Sequence, residues 1–324
     1  MRAIVHQSFG EPADVLTVEE VATPEPKAGE VRLRILLATI HNHDLMTVRG
    51  VYGFKPELPA RSGTEAVGVV DAVGEGVENL EVGQRVVAST FGVWAEFVTL
   101  PANGLSPLDE SIPDEVAAQL FAMPFSAITL LDFLNLEPGD WVVQNAANGA
   151  VGRVFARLAA TRDINVVGLV RRADSVTELA SEGIDRVVAT DDDSWRDRVA
   201  ELTGGAPIKA GIESIGGQAA GDLASLLGQG GVLVIFGAMA SGRLDIASSD
   251  ILFKEVTVKG FWGSKVGPAL SPERRTALVG ELRARIADGT VSLPVASIHS
   301  FDDVADAARA SDTPGRVGKV LLRP

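Results

Sequence analysis

From about residue 141 to residue 260 the chain alternates short apolar runs of strand length with amphipathic stretches of helix length. The apolar runs fall at residues 141–144, 165–170, 186–189, 210–213, 232–236 and 256–260. Strands that alternate with helices can pair in parallel only through crossover connections, so this half of the chain predicts a doubly wound α/β sheet. The helix after the first strand shows its register: Val151, Val154, Phe155 and Leu158 share one face, with Arg153 and Arg157 on the other. A later helix opens with Ser271 as N-cap and Pro272 at its first position. Leu278, Leu282 and Ile286 form its stripe, and Gly289 fits its stop. The acidic run Asp191-Asp192-Asp193 reads as the start of a helix at Ser194 rather than as a metal site.

Before about residue 110 the rhythm is different. Residues 31–35 alternate apolar and charged side chains, the pattern of a half-buried strand. Residues 67–73 form another apolar run, closed by the turn Gly74-Glu75-Gly76, and residues 86–88 and 96–100 follow. Many short strands joined by glycine turns predict a β-rich, barrel-like domain. The tail from about residue 291 holds two apolar runs, 295–298 and 319–322, around a helix near 304–310, and is expected to return to the first domain. The organisation expected is a β-rich domain of residues 1–118 and 292–324, and a dinucleotide-binding domain of residues 119–291.

Composition removes several function classes. The net charge is -14 and the isoelectric point near 4.8. A chain this acidic does not attract polyanions at long range, so no nucleic acid and no anionic membrane partner is expected. There are no cysteines, which excludes disulfides and thiolate-ligated zinc. No apolar stretch is long enough to span a bilayer, and the first residues lack the apolar core of a signal peptide. The expected partner is a small-molecule substrate, and the expected compartment the cytoplasm.

The strand at 141–144 runs into Asn145-Ala146-Ala147-Asn148-Gly149-Ala150-Val151-Gly152. Set against G-x-G-x-x-G, the first glycine is Ala147, and Gly149 and Gly152 are kept. Gly149 lets the backbone approach a pyrophosphate, Gly152 lets the helix pack on the strand, and the helix start offers free N–H groups. The position between a strand and an amphipathic helix makes a dinucleotide cradle the stronger reading than a loop packed for tightness. An NAD site usually places an acidic residue after the second strand, and here the residues are Arg171 and Arg172. A charge-assisted hydrogen bond is worth roughly 1.5–3 kcal/mol, enough for one arginine on a 2′-phosphate to favour NADPH about ten-fold. The alternative is a solvated helix start.

With their surroundings, these residues resemble the medium-chain dehydrogenase/reductase superfamily over nearly the whole chain. Gly29-Glu30-Val31, Gly63-Thr64-Glu65, Gly74-Glu75-Gly76-Val77 and Gly83-Gln84-Arg85-Val86 fall in that superfamily's order. Within it, Gly50-Val51-Tyr52-Gly53, Leu58-Pro59-Ala60, Gln144-Asn145-Ala146, Gly237-Ala238-Met239-Ala240 and Lys259-Gly260-Phe261-Trp262 are most similar to the mitochondrial-type trans-2-enoyl thioester reductases. Quinone oxidoreductases of the zeta-crystallin type come next.

The resemblance implies a Rossmann sheet joined to a GroES-like barrel domain. It implies that Asn148, Gly149, Ala150, Val151 and Gly152 touch the pyrophosphate of NADPH, and Arg171 and Arg172 its 2′-phosphate. Phe236, Gly237, Ala238 and Met239, with Phe261, Trp262, Gly263 and Ser264, would border the nicotinamide and substrate. Lys319 matches a cofactor-contacting lysine. One departure is Met123-Pro124-Phe125-Ser126, where the enoyl reductases carry Asn before the Pro; Met123 then becomes a substrate neighbour.

Tyr52, the single tyrosine, matches the family's catalytic tyrosine. A protonated phenol can stabilise charge that develops on a carbonyl oxygen as a hydride adds to the conjugated double bond. Read without the resemblance, it is a loop tyrosine between two glycines. Zinc-bearing relatives carry ligands at the positions of His41 and Thr64, and a further cysteine that this chain cannot supply, so no metal is expected. His41 and His43 read as helix entry and polar loop, with substrate contact as their further assignment. Asp44 is expected to help cap the helix that Gly50 ends. Trp262 is assigned to the substrate wall, with plain hydrophobic filling the alternative for it and for Phe261.

The resulting expectation is hydride transfer from NADPH to an activated C=C bond of a 2-enoyl thioester or enone. The rivals are an NADPH:quinone oxidoreductase and an NADPH-binding protein without turnover. The strand at 256–258 would be an edge strand, and in related reductases this strand pairs across a two-fold axis, so a homodimer is expected.

Overall fold

The computed structural model describes residues 1–324. Contacts divide the chain into two units, one of residues 1–122 and 293–324, the other of residues 123–292.

The first unit is built from strands β1 (Arg2–His6), β2 (Leu16–Glu20), β3 (Glu30–Thr39), β4 (Ala60–Arg61), β5 (Glu65–Val73), β6 (Arg85–Ser89) and β7 (Phe97–Pro101). β3 is the spine. Its ten residues pair antiparallel with β5 along most of their length and with β7 at their start. Leu33, Ile35 and Leu37 point inward while Arg34 lies outside, the period-two alternation of a one-sided sheet. A second, three-stranded sheet has the order β2-β1-β4. Between the layers lies a core that includes Ile4, Leu33, Leu45, Trp94 and Phe301.

The second unit contains β8 (Trp141–Gln144), β9 (Asn165–Val170), β10 (Val187–Ala189), β11 (Ile208–Glu213), β12 (Leu227–Ile235) and β13 (Thr257–Gly260). They form one sheet of order β10-β9-β8-β11-β12-β13, parallel throughout. The strand sequence reverses direction between β8 and β11, and in open α/β sheets ligands bind outside the carboxyl ends of the strands at such a point. The helix Ala150–Ala160 buries Val154, Phe155 and Leu158 on its expected face. Its other face, that of Arg153 and Arg157, is covered as well. Arg153 is buried, ion-paired to Glu178 and Glu182, and Arg157 bonds Glu182 at 2.7 Å. The helix Ala173–Ser181 and the residue after it cover that face, so the two arginines sit between helices rather than toward water.

The chain then returns to the first unit. β14 (Val295–Ser300) pairs parallel with β15 (Lys319–Arg323), and β15 pairs with β3. Helix Val304–Asp312 links them. Ser271 caps helix Pro272–Ala287 by accepting from the Arg274 amide, and Gly289 just beyond adopts φ 80°. No helix is long and apolar enough to cross a membrane.

Candidate active site

In the second unit, the carboxyl ends of β8, β11, β12 and β13 gather most of the residues assigned to the cofactor. The β8 turn is tight because Ala146 takes a left-handed conformation, φ 49°, and its carbonyl accepts from Gly149 N–H at 2.9 Å. Gly149 then caps the helix Ala150–Ala160 with no side chain of its own, which leaves the first-turn N–H groups open to an anion. At Gly152 a Cβ would lie 2.8 Å from the Ala147 carbonyl oxygen, so only glycine lets the helix come this close to the strand end. Asn148 is held through its carbonyl, which accepts from Arg153 Nε at 2.9 Å. Arg171 and Arg172 follow β9, both exposed, and neither is ion-paired to a carboxylate.

The sequence pattern did not single out the link across the switch point. Asn145 Nδ2 donates to Glu213 Oε1 at 2.8 Å, and Asn145 Oδ1 accepts from Ser214 N–H at 2.8 Å. The same Glu213 oxygen accepts from the amides of Ile215 and Gly216. This clasp ties the end of β8 to the end of β11, where two neighbouring strands send their chains in opposite directions. The loop after β12 docks on it in turn: Phe236 N–H donates to the Glu213 carbonyl at 2.7 Å and Met239 N–H to the Ser214 carbonyl at 3.0 Å. Gly237 and Ala238 lie between, and Met239 is 58% exposed. Phe261, after β13, is buried against Phe236 (centroids 5.7 Å apart) and Phe133 (5.4 Å). Trp262 is half-buried with Lys265 over its ring, Gly263 and Ser264 open the next helix, and Met123 is half-buried.

Tyr52, His41, His43 and Lys319 belong to the first unit. The turn at Gly63 (φ 87°) lies on the Trp94 indole so closely that a Cβ would collide with it at 2.1 Å. That contact presents Thr64 and starts β5 at Glu65. Glu65 and His41 are both wholly buried, and their side chains bond each other at 2.8 Å. The other Glu65 oxygen accepts from the Phe121 amide. Burial raises the Glu65 carboxyl to about 7, against backbone donors and Lys319 that favour its charged form. Burial likewise holds His41 well below its ordinary value, so its ring is neutral near pH 7. Lys319, 8% exposed, is brought down to about 8 by burial and by Arg316, against the pull of Asp44 and Glu65.

The assignment of His41 to substrate contact is corrected by this burial: a ring with no exposed surface reaches a substrate only through its neighbours. One such neighbour is His43, whose ring stacks on His41 with centroids 5.1 Å apart. His43 in turn faces Tyr52 at 5.7 Å. Helix Asn42–Val48 sets this spacing. Asp44 at its third position accepts from the His41 amide at 2.8 Å, and Gly50 ends it with φ 72°. The Tyr52 amide then donates to the Met46 carbonyl at 3.2 Å. No group of three or more His, Asp or Glu side chains is disposed to hold a metal.

Against known families, residues 150–279 match "Zinc-binding dehydrogenase" and residues 27–110 match "Alcohol dehydrogenase GroES-like domain". The chain is 31% identical over 315 residues to the mitochondrial enoyl-[acyl-carrier-protein] reductase of Caenorhabditis elegans, covering 94% of this chain and 90% of that one. Among solved structures, a mycobacterial protein complexed with NADPH superposes with a TM-score of 0.88 at 27% identity, each chain covered in full. A mycobacterial quinone oxidoreductase superposes with a TM-score of 0.85, also at 27% identity and with full coverage of both.

Proposed function

Because this chain belongs to the medium-chain dehydrogenase/reductase superfamily, we propose that it is an NADPH-dependent, zinc-independent reductase of activated C=C bonds, acting on a 2-enoyl thioester or enone. The observation that carries the reading is the similarity to an enoyl reductase along almost the entire chain. NADPH supplies the hydride when bound. The residues present fit it: Gly149 and Gly152 leave the space a Cβ would fill, the helix start keeps its N–H groups open, and Arg171 and Arg172 stand free beyond β9. A dinucleotide's 2′-phosphate would meet two guanidinium groups there instead of the carboxylate that suits a ribose hydroxyl.

Tyr52 is the residue proposed to act on the substrate. Its phenol donates a hydrogen bond to the thioester or ketone oxygen, and that bond strengthens as negative charge gathers on the oxygen. The same phenol, or a water, supplies the proton to the α-carbon. Phe236, Phe261, Trp262 and Met123 are proposed as apolar walls that exclude water from the nicotinamide end.

The test is NADPH oxidation with crotonyl-CoA and with a quinone under one set of conditions. The expected result is faster turnover of crotonyl-CoA, and Tyr52→Phe lowers kcat by about a hundredfold while NADPH affinity is kept. Wild-type kcat in that variant refutes the role of Tyr52. Preference for the quinone supports a quinone reductase, a reading that the similarity to the mycobacterial quinone oxidoreductase favours. Tight NADPH binding with no oxidation across enones, enoyl thioesters and quinones supports a binding protein without turnover.

A homodimer is part of the proposal. All four residues of the edge strand β13 are exposed, and the helix before it leaves Leu252 68% and Phe253 77% exposed. An unpaired edge beside two bare apolar side chains suits pairing with a second copy across a two-fold axis.

A further inference from the structure

The hydrogen-bond chain beneath Tyr52 fixes which nitrogen of His43 carries a proton. Asp44 accepts twice, from the His41 amide at 2.8 Å and from the Thr64 hydroxyl at 2.7 Å. An ionised carboxylate can only accept, so the single hydroxyl hydrogen of Thr64 points to Asp44. Toward His43 Nε2, 2.7 Å away, Thr64 Oγ1 therefore offers a lone pair. His43 must donate there. Its neutral ring is the Nε2–H tautomer, and Nδ1 keeps the lone pair.

This oriented ring is the middle of a three-ring stack. On one side lies His41, interplanar angle 12°, itself immobilised by burial and by its bond to Glu65. On the other lies Tyr52, interplanar angle 30°. We infer that His43 is a positioning residue for Tyr52: the Asp44–Thr64–His43 chain holds the imidazole in one orientation and tautomer, and the imidazole face holds the phenol where it meets the substrate oxygen. The inference rests on the reading of Tyr52 as the carbonyl donor. A donor on a loose loop loses alignment, and a misplacement of about 1 Å can cost a hundredfold in rate.

The test is a double-mutant cycle on the full-length protein, with crotonyl-CoA and NADPH as substrates and calorimetry for NADPH binding. His43→Ala is expected to lower kcat by about tenfold or more. The KM for crotonyl-CoA and the affinity for NADPH stay near wild type. Added to Tyr52→Phe, the same change is expected to cost nothing further, because the group it positions is gone. Thr64→Val, which removes the acceptor of His43 Nε2–H, is expected to lower kcat roughly three- to tenfold, the worth of one hydrogen bond. Thr64→Ser restores it. Thr64→Val and Thr64→Ser also carry the test if His43→Ala does not fold.

Full additivity of His43→Ala with Tyr52→Phe overturns the inference, as does wild-type kcat in Thr64→Val. A silent Tyr52→Phe refutes the Tyr52 reading itself and is seen separately in the single variant. A loss in Thr64→Val that Thr64→Ser does not restore points to general damage and also overturns it.

Discussion

Replacing Gly152 with alanine puts a methyl group 2.8 Å from the Ala147 carbonyl oxygen and 2.9 Å from its Cα, both backbone atoms of the turn. Ordinary contact begins near 3.4 Å, so the first turn of the helix must retreat by roughly half an ångström. Overpacking of this kind costs about 1–3 kcal/mol. Alanine in place of glycine within a helix returns up to about 1 kcal/mol. The net loss is about 1–2 kcal/mol, which lowers the melting midpoint of a unit of this size by about 2–8 °C. The retreat also draws the first-turn N–H groups away from a bound pyrophosphate. Loss of part of one charge-assisted hydrogen bond raises the Kd for NADPH about tenfold. Gly149→Ala is the companion variant. Its φ of -75° suits any residue and its added Cβ meets only the Ala146 oxygen, at 3.1 Å. It is expected to keep the midpoint and lose affinity. Calorimetric titration with NADPH and a thermal scan read both quantities. Wild-type NADPH binding by Gly149→Ala would show that no pyrophosphate crosses this turn, and the cradle argument would fail.

Three further outcomes follow from the described geometry. Arg171→Ala and Arg172→Ala should raise the KM for NADPH about tenfold and leave that for NADH unchanged; a wild type that prefers NADH contradicts the assignment. For stability against pH, Glu65 is raised to about 7 and Lys319 lowered to about 8. Between 4.5 and about 7 the folded state binds the Glu65 proton and the unfolded chain does not, so stability falls as pH rises. Between about 8 and 10.5 the unfolded chain alone binds the Lys319 proton, so stability rises with pH. Denaturant titrations should find a minimum between these windows for the first unit, and Glu65→Gln should flatten the acidic limb; an unchanged limb would mean Glu65 is not its source. Phe253→Asp should convert the proposed dimer to monomer in sedimentation, whereas a monomeric wild type removes the dimer from the account.

The parallel sheet and its phosphate turn were legible because both are local. Apolar periodicity marks each strand, and Ala147, Gly149 and Gly152 lie within six residues of one another. The short strands β2 and β4 left no such trace, since each is defined by its pairing with β1. The helical pattern separated Arg153 from Val154 correctly as to face, yet it carried no information on which element covers that face. Asn145 and Glu213 lie 68 residues apart, and no spacing rule joins them before the strand order is known. For His41 the sequence supplied a plausible polar group near Tyr52. Its environment is set by Glu65, which bonds it, by the Phe121 amide, which bonds Glu65, and by the charge of Lys319, and these come from separate segments of the chain.

The last strand has a bearing on how this molecule is made. β15 (Lys319–Arg323) follows the whole second unit in the chain, and it fills the place between β14 and β3 in the first unit's sheet. During synthesis, residues 123–292 are complete and able to fold while that slot is still vacant. The first unit is thus begun before the second and finished after it, and the flank of β3 that receives β15 stays bare until residues 319–323 have been made. Lys319 arrives with that strand, so its charge reaches Glu65 only once β15 has docked. Ribosome-arrested chains lacking the final strand should accordingly be cut by protease in the first unit while the second resists.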